Sequence, residues 1–324
     1  MKEKAQVVII SLWILVMLTV LAVGIGHRVS LALKLSSYQR DKVKALYLAK
    51  AGVNKVISEL DKDKNNYDSL NEPWSDNKEL FEKILPADDP VEFASVNYIV
   101  GPQDSQETRF GAVDEESKIN INIAPKGLLA EFFSRAGALD PADIANNICA
   151  WRGDTDMVIP EYSGKGYANK AGKFVNTGEL VLVRGIDPEI LAAAGDLITV
   201  NGSGKVNINT VSREVLEIHI SYCVQQLAER NVADRDPEDM VNRIIDARLK
   251  GANFSSVSEL EASLGDVAQH SGPRNILNEL NPLIDFKSSC YYMVSNGKIR
   301  NKIFAEVKCI YDKTAKKIRF WHEK

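Results

Sequence analysis

The chain opens with an almost unbroken apolar run. Val7 to Gly26 reads VVIISLWILVMLTVLAVGIG, interrupted only by Ser11 and Thr19. As a helix rising 1.5 Å per residue it is ~30 Å long, enough to cross the hydrocarbon core of a bilayer. The pattern continues past that span. No proline occurs between Val29 and Pro73, and apolar residues recur at Leu46, Ala49, Val53, Val56, Ile57 and Leu60. This three–four spacing places them on one helix face. The prediction is one long helix over residues 6–60, apolar in its first half and amphipathic in its second.

After Leu60 the sequence turns polar, and a first part of an α/β domain is expected over 61–113. Val91–Val100 alternates as a strand does, and Arg109–Val113 is a second candidate. From Asp114 the character becomes helical and an internal repeat appears. Lys118-Ile119-Asn120-Ile121-Asn122 is echoed by Lys205-Val206-Asn207-Ile208-Asn209. The runs Gly127–Ala136 and Arg213–Glu229 follow, then Asp140-Pro141 and Asp236-Pro237. Ile148–Arg152 matches Ile244–Arg248, and Phe174 with Glu179-Leu180 matches Phe254 with Glu259-Leu260. Two related helical units are therefore expected within 114–285, about 114–200 and 201–285. The Asp-Pro pairs, with Asp187-Pro188 as a third, suit helix starts, because Asp caps orphan N–H groups and Pro fits the first turn. Residues 286–324 return to strands: Ser289–Ser295, a turn signal at Asn296-Gly297, Lys302–Tyr311, a turn over Asp312–Lys316, and Lys317–His322. That reads as an antiparallel meander. The fold class is α+β.

Composition adds little beyond this. The 324 residues carry a net charge of −4 and the acids are dispersed, so no nucleic-acid surface is implied. Lys2 and Lys4 precede the apolar run, which by the positive-inside rule leaves the N-terminus cytoplasmic and exports the rest. A cleaved signal peptide with Ala22-Val23-Gly24 as its exit site is the alternative, although its apolar region is longer than usual. Cys149, Cys223, Cys290 and Cys309 form no CxxC pair, which argues against zinc.

Candidate chemistry is sparse. Asp154, Asp156 and Glu161 lie in a glycine-rich insert, a hard-oxygen set suited to calcium without EF-hand spacing, and a solvated acidic loop reads equally well. A hairpin turning around Ile299-Arg300 would set Cys290 opposite Cys309 for a disulfide, with two buried free thiols as the alternative. Glu179–Leu191 has the rhythm of a helix–hairpin–helix unit, with Leu182–Ile186 as its hairpin, but Asp187 beside the hairpin repels phosphate. His27, His219, His270 and His322 are scattered, and no nucleophile elbow, HExxH or phosphate loop is present. The sequence offers nothing in favour of an enzyme.

The long N-terminal helix, Ala45–Val53 (ALYLAKAGV), Asp114–Asn122 and Tyr167–Ile186 (YANKAGKFVNTGELVLVRGI) together resemble the K-type minor pseudopilins of type II secretion, within the type IV pilin-like superfamily. The resemblance implies a pilin-like fold, a long helix on a small antiparallel sheet, interrupted by a large helical insertion with two helix-hairpin-helix-like units. It implies a leader, residues 1–5, removed by prepilin peptidase between Ala5 and Gln6, with methylation of the new N-terminus; the family usually has Gly where Ala5 stands. Ile10 occupies the place of a Glu that most pseudopilins carry and K-type members lack, which fits a subunit at the filament tip. Calcium held by Asp154, Asp156 and Glu161 is implied as well. So are partners: the I- and J-type minor pseudopilins, the inner-membrane assembly platform and prepilin peptidase, but no nucleic acid. The expected location is the bacterial inner membrane, single-pass, with a periplasmic head. The filament contacts expected on the long helix are Ile10, Leu46, Ala49, Val53, Val56 and Leu60. A pilus or competence minor pilin touching DNA, and a membrane-tethered enzyme, are the rival readings.

Overall fold

The computed structural model describes residues 2–84, 91–101, 106–155, 157–158, 162, 166–230, 237–265 and 271–324, with backbone only for residues 2–5. Helix α1 spans Lys2–Lys62, ~90 Å at the helical rise. Its two polar interruptions do not break it. Ser11 Oγ donates to the Val8 carbonyl at 2.9 Å and Thr19 Oγ1 to that of Leu15 at 2.8 Å, so neither hydroxyl is left without a partner. Residues 6–36 are exposed, and burial begins only around Asp41. From there Ala45, Ala49, Val53, Val56 and Leu60 form a fully buried stripe.

That stripe packs on an antiparallel sheet. Its strands run in the order β1 (Glu92–Val96), β9 (Cys290–Ile299), β10 (Lys302–Asp312) and β11 (Lys317–Glu323), and the short β4 (Val113–Asp114) also pairs with β9. Val307, Cys309 and Tyr311 of β10 and Tyr291 and Met293 of β9 meet the helix, closed by Trp74, by Phe81 of the short α2 (Lys78–Phe81) and by Ala112. Two glycines let helix and sheet approach this closely. A Cβ on Gly52 would strike Ser295 Oγ, and one on Gly297 would overlap the Ala45 carbonyl. Asn296-Gly297 is thus a contact point inside β9 and not a turn. The hairpin turns at Arg300-Asn301, both at positive φ (51° and 62°), the conformation a two-residue type I′ hairpin loop requires. A second small ribbon pairs β2 (Tyr98–Val100) with β3 (Glu107–Arg109).

The helical insertion enters after β4 and returns at β9. Its first unit runs from β5 (Ile119–Asn120) through α3 (Lys126–Arg135), α4 (Pro141–Arg152) and α5 (Pro188–Ala194) to β6 (Ile198–Thr199), which pairs in parallel with β5. The second runs from β7 (Val206–Asn207) through α6 (Arg213–Glu229), α7 (Pro237–Leu249), α8 (Val257–Leu264) and α9 (Ser271–Leu280) to β8 (Ile284–Asp285), parallel to β7. The repeat extends to individual hydrogen bonds. Asn122 Nδ2 donates to the Phe174 carbonyl (3.0 Å) while its Oδ1 accepts from Phe174 N (2.7 Å). Asn209 does the same with Phe254, at 2.8 Å in both directions. Arg152 reaches the carbonyls of Ile121 and Ala124, and Arg248 that of Val211. Asp140 and Asp187 cap their helices through Asp143 N and Ile190 N; Asp236 lies outside the described residues. A continuous apolar core including Leu129, Phe132, Ile148, Leu180, Ile208, Ile244 and Leu260 joins the two units.

Candidate assembly interface

Two surfaces of α1 are candidates for contact with other molecules. In its first half Val7, Ile10, Trp13 and Met17 all point outward, Ile10 at 59% exposure. The described residues hold one helix long and apolar enough to cross a membrane, and it is α1. Ala5 belongs to the same helix and Gln6 follows it, but the Ala5 side chain lies outside the described residues.

In the second half the structure corrects the expected filament face. Ala49, Val53, Val56 and Leu60 are wholly buried and Leu46 is half-buried, all against the protein's own sheet. The sheet's inner face has to be covered, and the stripe covers it. Ala49, Val53, Val56 and Leu60 are therefore not free to touch a neighbouring subunit, while Leu46 keeps part of its surface exposed. The outward residues in this region are Leu35, Tyr38, Val43 and Tyr47, each more than half exposed.

The cysteine pairing is corrected too. Cys309 sits opposite Met293 and Cys290 opposite Asp312, and both thiols are free and buried. The turn falls one residue later than the disulfide needs, and the register shifts again between Ile303 and Ala305. An odd displacement puts the two side chains on opposite faces of the sheet. Burial pushes Cys290 up to about 11 and Cys309 to about 12, so neither is a ready thiolate.

Of the acidic trio, Asp156 and Glu161 lie outside the described residues. Asp154 gives both oxygens to the Arg152 guanidinium, at 2.9 Å from Nε and 2.5 Å from Nη2. A carboxylate already matched by a fixed cation does not by itself offer a calcium ligand.

The acids the structure does bring together tie the head to its insertion. Asp114 is buried and its Oδ2 accepts from Thr210 Oγ1 (2.5 Å), Ser288 Oγ (2.6 Å) and Asn207 Nδ2 (3.2 Å). Burial, with the nearby Glu116 charge, pushes its carboxyl to about 7. Glu116 accepts from Ser289 N and Oγ, Glu115 from Lys118 and Thr199. Asp68, fully buried in the loop after α1, accepts from Ser288 N (2.8 Å) and from Lys313 Nζ (3.0 Å), and Lys313 also donates to Asp63 (2.7 Å). Asp63, Asp68 and Glu72 converge closely enough for a metal, but the Lys313 ammonium stands between the first two and supplies the positive charge. The run Asp114-Glu115-Glu116 was visible in sequence; its long-range partners, 84 to 174 residues away, were not.

A groove of about 740 Å³ beside this junction is lined by Glu116, Ser203, Cys290, Lys313 and Arg319, among others. Burial raises its Cys290 thiol, and Glu116, Asp285 and Asp312 are already engaged by N–H, hydroxyl and guanidinium donors, so among the described residues no base is poised there against a nucleophile. His219 is buried in α6, its Nδ1 2.8 Å from the Val215 carbonyl.

The architecture is that of an α+β pilin-like protein, a long helix on an antiparallel sheet interrupted by two related helical units. Among solved structures it is similar to a chain in the GspK–GspI–GspJ complex of the type 2 secretion system from enterotoxigenic Escherichia coli, with a TM-score of 0.63 over 90% of this chain and 99% of that one, at 13% identity. No protein-family model matches the sequence, and no curated protein matches it significantly.

Proposed function

We propose that this protein is a K-type minor pseudopilin of a type II secretion system, a structural subunit and not an enzyme. The observation that carries the reading is the placement of a two-unit helical insertion between β4 and β9 of a pilin-like sheet, the arrangement in which the chain aligns over nearly its whole length with a component of the GspK–GspI–GspJ complex. Exposed apolar residues along the first half of α1 support an anchor in the inner membrane before assembly and a place in the helical core of the filament afterwards. Ile10, outward-facing and uncharged, offers no carboxylate to the subunit above it, which suits the tip. The bulky insertion would likewise obstruct a subunit stacked on top. Prepilin peptidase would cut between Ala5 and Gln6, the I- and J-type minor pseudopilins would be the direct partners, and the trimer would start filament growth on the inner-membrane platform.

The test is recovery of the full-length protein from membranes with the I- and J-type minor pseudopilins co-expressed. Stoichiometric co-purification, lost on Ile14→Asp in the exposed half of α1, is expected. A chain recovered alone, with all three well expressed, would contradict the proposal.

A further inference from the structure

The packing of α1 on the sheet fixes which end of the head faces a bilayer. Phe304 packs at a tilt against Tyr38, with ring centroids 5.8 Å apart, and Gly297 abuts Ala45. At the far end Tyr311 donates to Asp61 and Lys313 to Asp63. The β9–β10 hairpin therefore runs along the helix with its turn toward the apolar span. From Gly26 to Ala45 the helix climbs ~28 Å, and from Gly297 to Asn301 the strand reaches back ~13 Å. With α1 upright, the turn stands ~15 Å from the hydrocarbon edge. That is about a headgroup layer plus one Debye length, and the ordinary ~20° tilt of a spanning helix brings one side closer.

This end is basic although the chain as a whole carries −4. Arg28, Lys34, Arg40, Lys42 and Lys44 ring the exposed helix, and Arg300 and Lys302 project from the hairpin turn. Among the described residues nearby, the acids Asp41 and Glu92 are already paired, with Arg40 at 3.3 Å and Lys44 at 2.8 Å. These charges outnumber Lys2 and Lys4 on the other flank, so the orientation expected from Lys2 and Lys4 alone is not upheld by the full Lys/Arg count, and export of the head rests on the pseudopilin reading. A basic collar held there against the orientation bias calls for an anionic partner, and the bilayer is the surface that the helix places against it.

We propose that the membrane-proximal end of the head, the collar of α1 together with the β9–β10 turn, docks on anionic phospholipid headgroups while the subunit awaits assembly. The proposal rests on reading α1 as a membrane anchor. Docking holds the head tilted against the membrane, and entry into the filament releases it.

The test places the full-length chain in nanodiscs of phosphatidylcholine, with or without phosphatidylglycerol, and follows amine acetylation by mass spectrometry. Lys42 and Lys302 should react about fivefold more slowly on the anionic discs, the protection should vanish in high salt, and Lys205 and Lys250 should not change. The double variant Arg300→Glu/Lys302→Glu should restore Lys42 to its rate on neutral discs. Equal rates in both lipids overturn the proposal. Protection that appears only when other minor pseudopilins are added also overturns it, and assigns the collar to a protein. Failure to enter discs of either composition overturns the anchor reading itself, a result separable from loss of lipid dependence.

Discussion

Replacing Gly297 with Ala tests the helix–sheet seam at its tightest point. The added Cβ would overlap the carbonyl oxygen and carbon of Ala45 and press on its Cα. These are backbone atoms of a helix pinned by Ala49, Val53, Val56 and Leu60, so no side chain can swing aside. Overpacking of this kind costs ~1–3 kcal/mol, and the upper part of that range applies because the obstacle is backbone. Relief of glycine's entropy in a strand returns ~0.5–1 kcal/mol, leaving a net loss of ~1–2.5 kcal/mol. For a head of this size that lowers the melting temperature by ~2–10 °C. Gly297→Val should cost more, because the contact deepens. Arg300→Gly should do the reverse. Arg300 holds a left-handed conformation that costs an L-residue ~1–2 kcal/mol, so its replacement should be neutral or raise stability slightly. Thermal unfolding of the full-length variants in detergent, followed by far-UV circular dichroism, reads all three. If Asn296-Gly297 were the hairpin turn, Arg300→Gly would fall within a strand and destabilise. A neutral Gly297→Ala, or a destabilising Arg300→Gly, refutes the seam.

Three further outcomes follow from the same structure. Leu60→Ala should cost ~2–5 kcal/mol by opening a cavity under the sheet, whereas Leu35→Ala on the exposed helix should stay within ~0.5 kcal/mol; equal effects in the same melting assay would contradict the buried stripe. Lys313→Met strands the buried Asp68 carboxylate and should cost ~3–5 kcal/mol, a loss that Asp68→Asn in the same chain should partly repair. His219 and Asp114 make opposed contributions to the pH profile. His219, lowered by burial to about 4, contributes stability that is present above its unfolded value near 6.5 and lost as pH falls toward 4. Asp114, raised to about 7, contributes stability that is present below its unfolded value near 3.8 and lost as pH rises toward 7. Denaturant titrations should therefore give a shallow profile between pH 4 and 6.5 for the native chain, one falling with pH for His219→Asn and one rising with pH for Asp114→Asn. Parallel profiles for the two variants would contradict this assignment.

Much of the fold was legible because periodic patterns report burial directly. The three–four spacing of Leu46 to Leu60 marked a packed face, and the alternation in 302–311 marked a strand. The same pattern does not name the surface that is covered. The stripe read as a filament contact turned inward because β9 and β10, which cover most of it, begin 230 residues or more beyond Leu60. Asn296-Gly297 imitates a turn because both turns and close approaches favour glycine, and only the position of Ala45 tells them apart. The extra residue of the β10 bulge carries no local sequence mark, yet it moves Cys290 and Cys309 to opposite faces. The Asn120-x-Asn122 and Asn207-x-Asn209 repeat was clear in sequence; that the second Asn of each pair clamps a Phe backbone became visible only with the loops in place.

As the helix of a pilin-like subunit, α1 should begin its working life at Gln6. Intact-mass and N-terminal tryptic analysis of the protein isolated from its native membranes measures this directly. The account predicts a chain starting at Gln6 with a methylated α-amino group. A chain starting just after Gly24, as a cleaved signal peptide would leave it, would contradict the account.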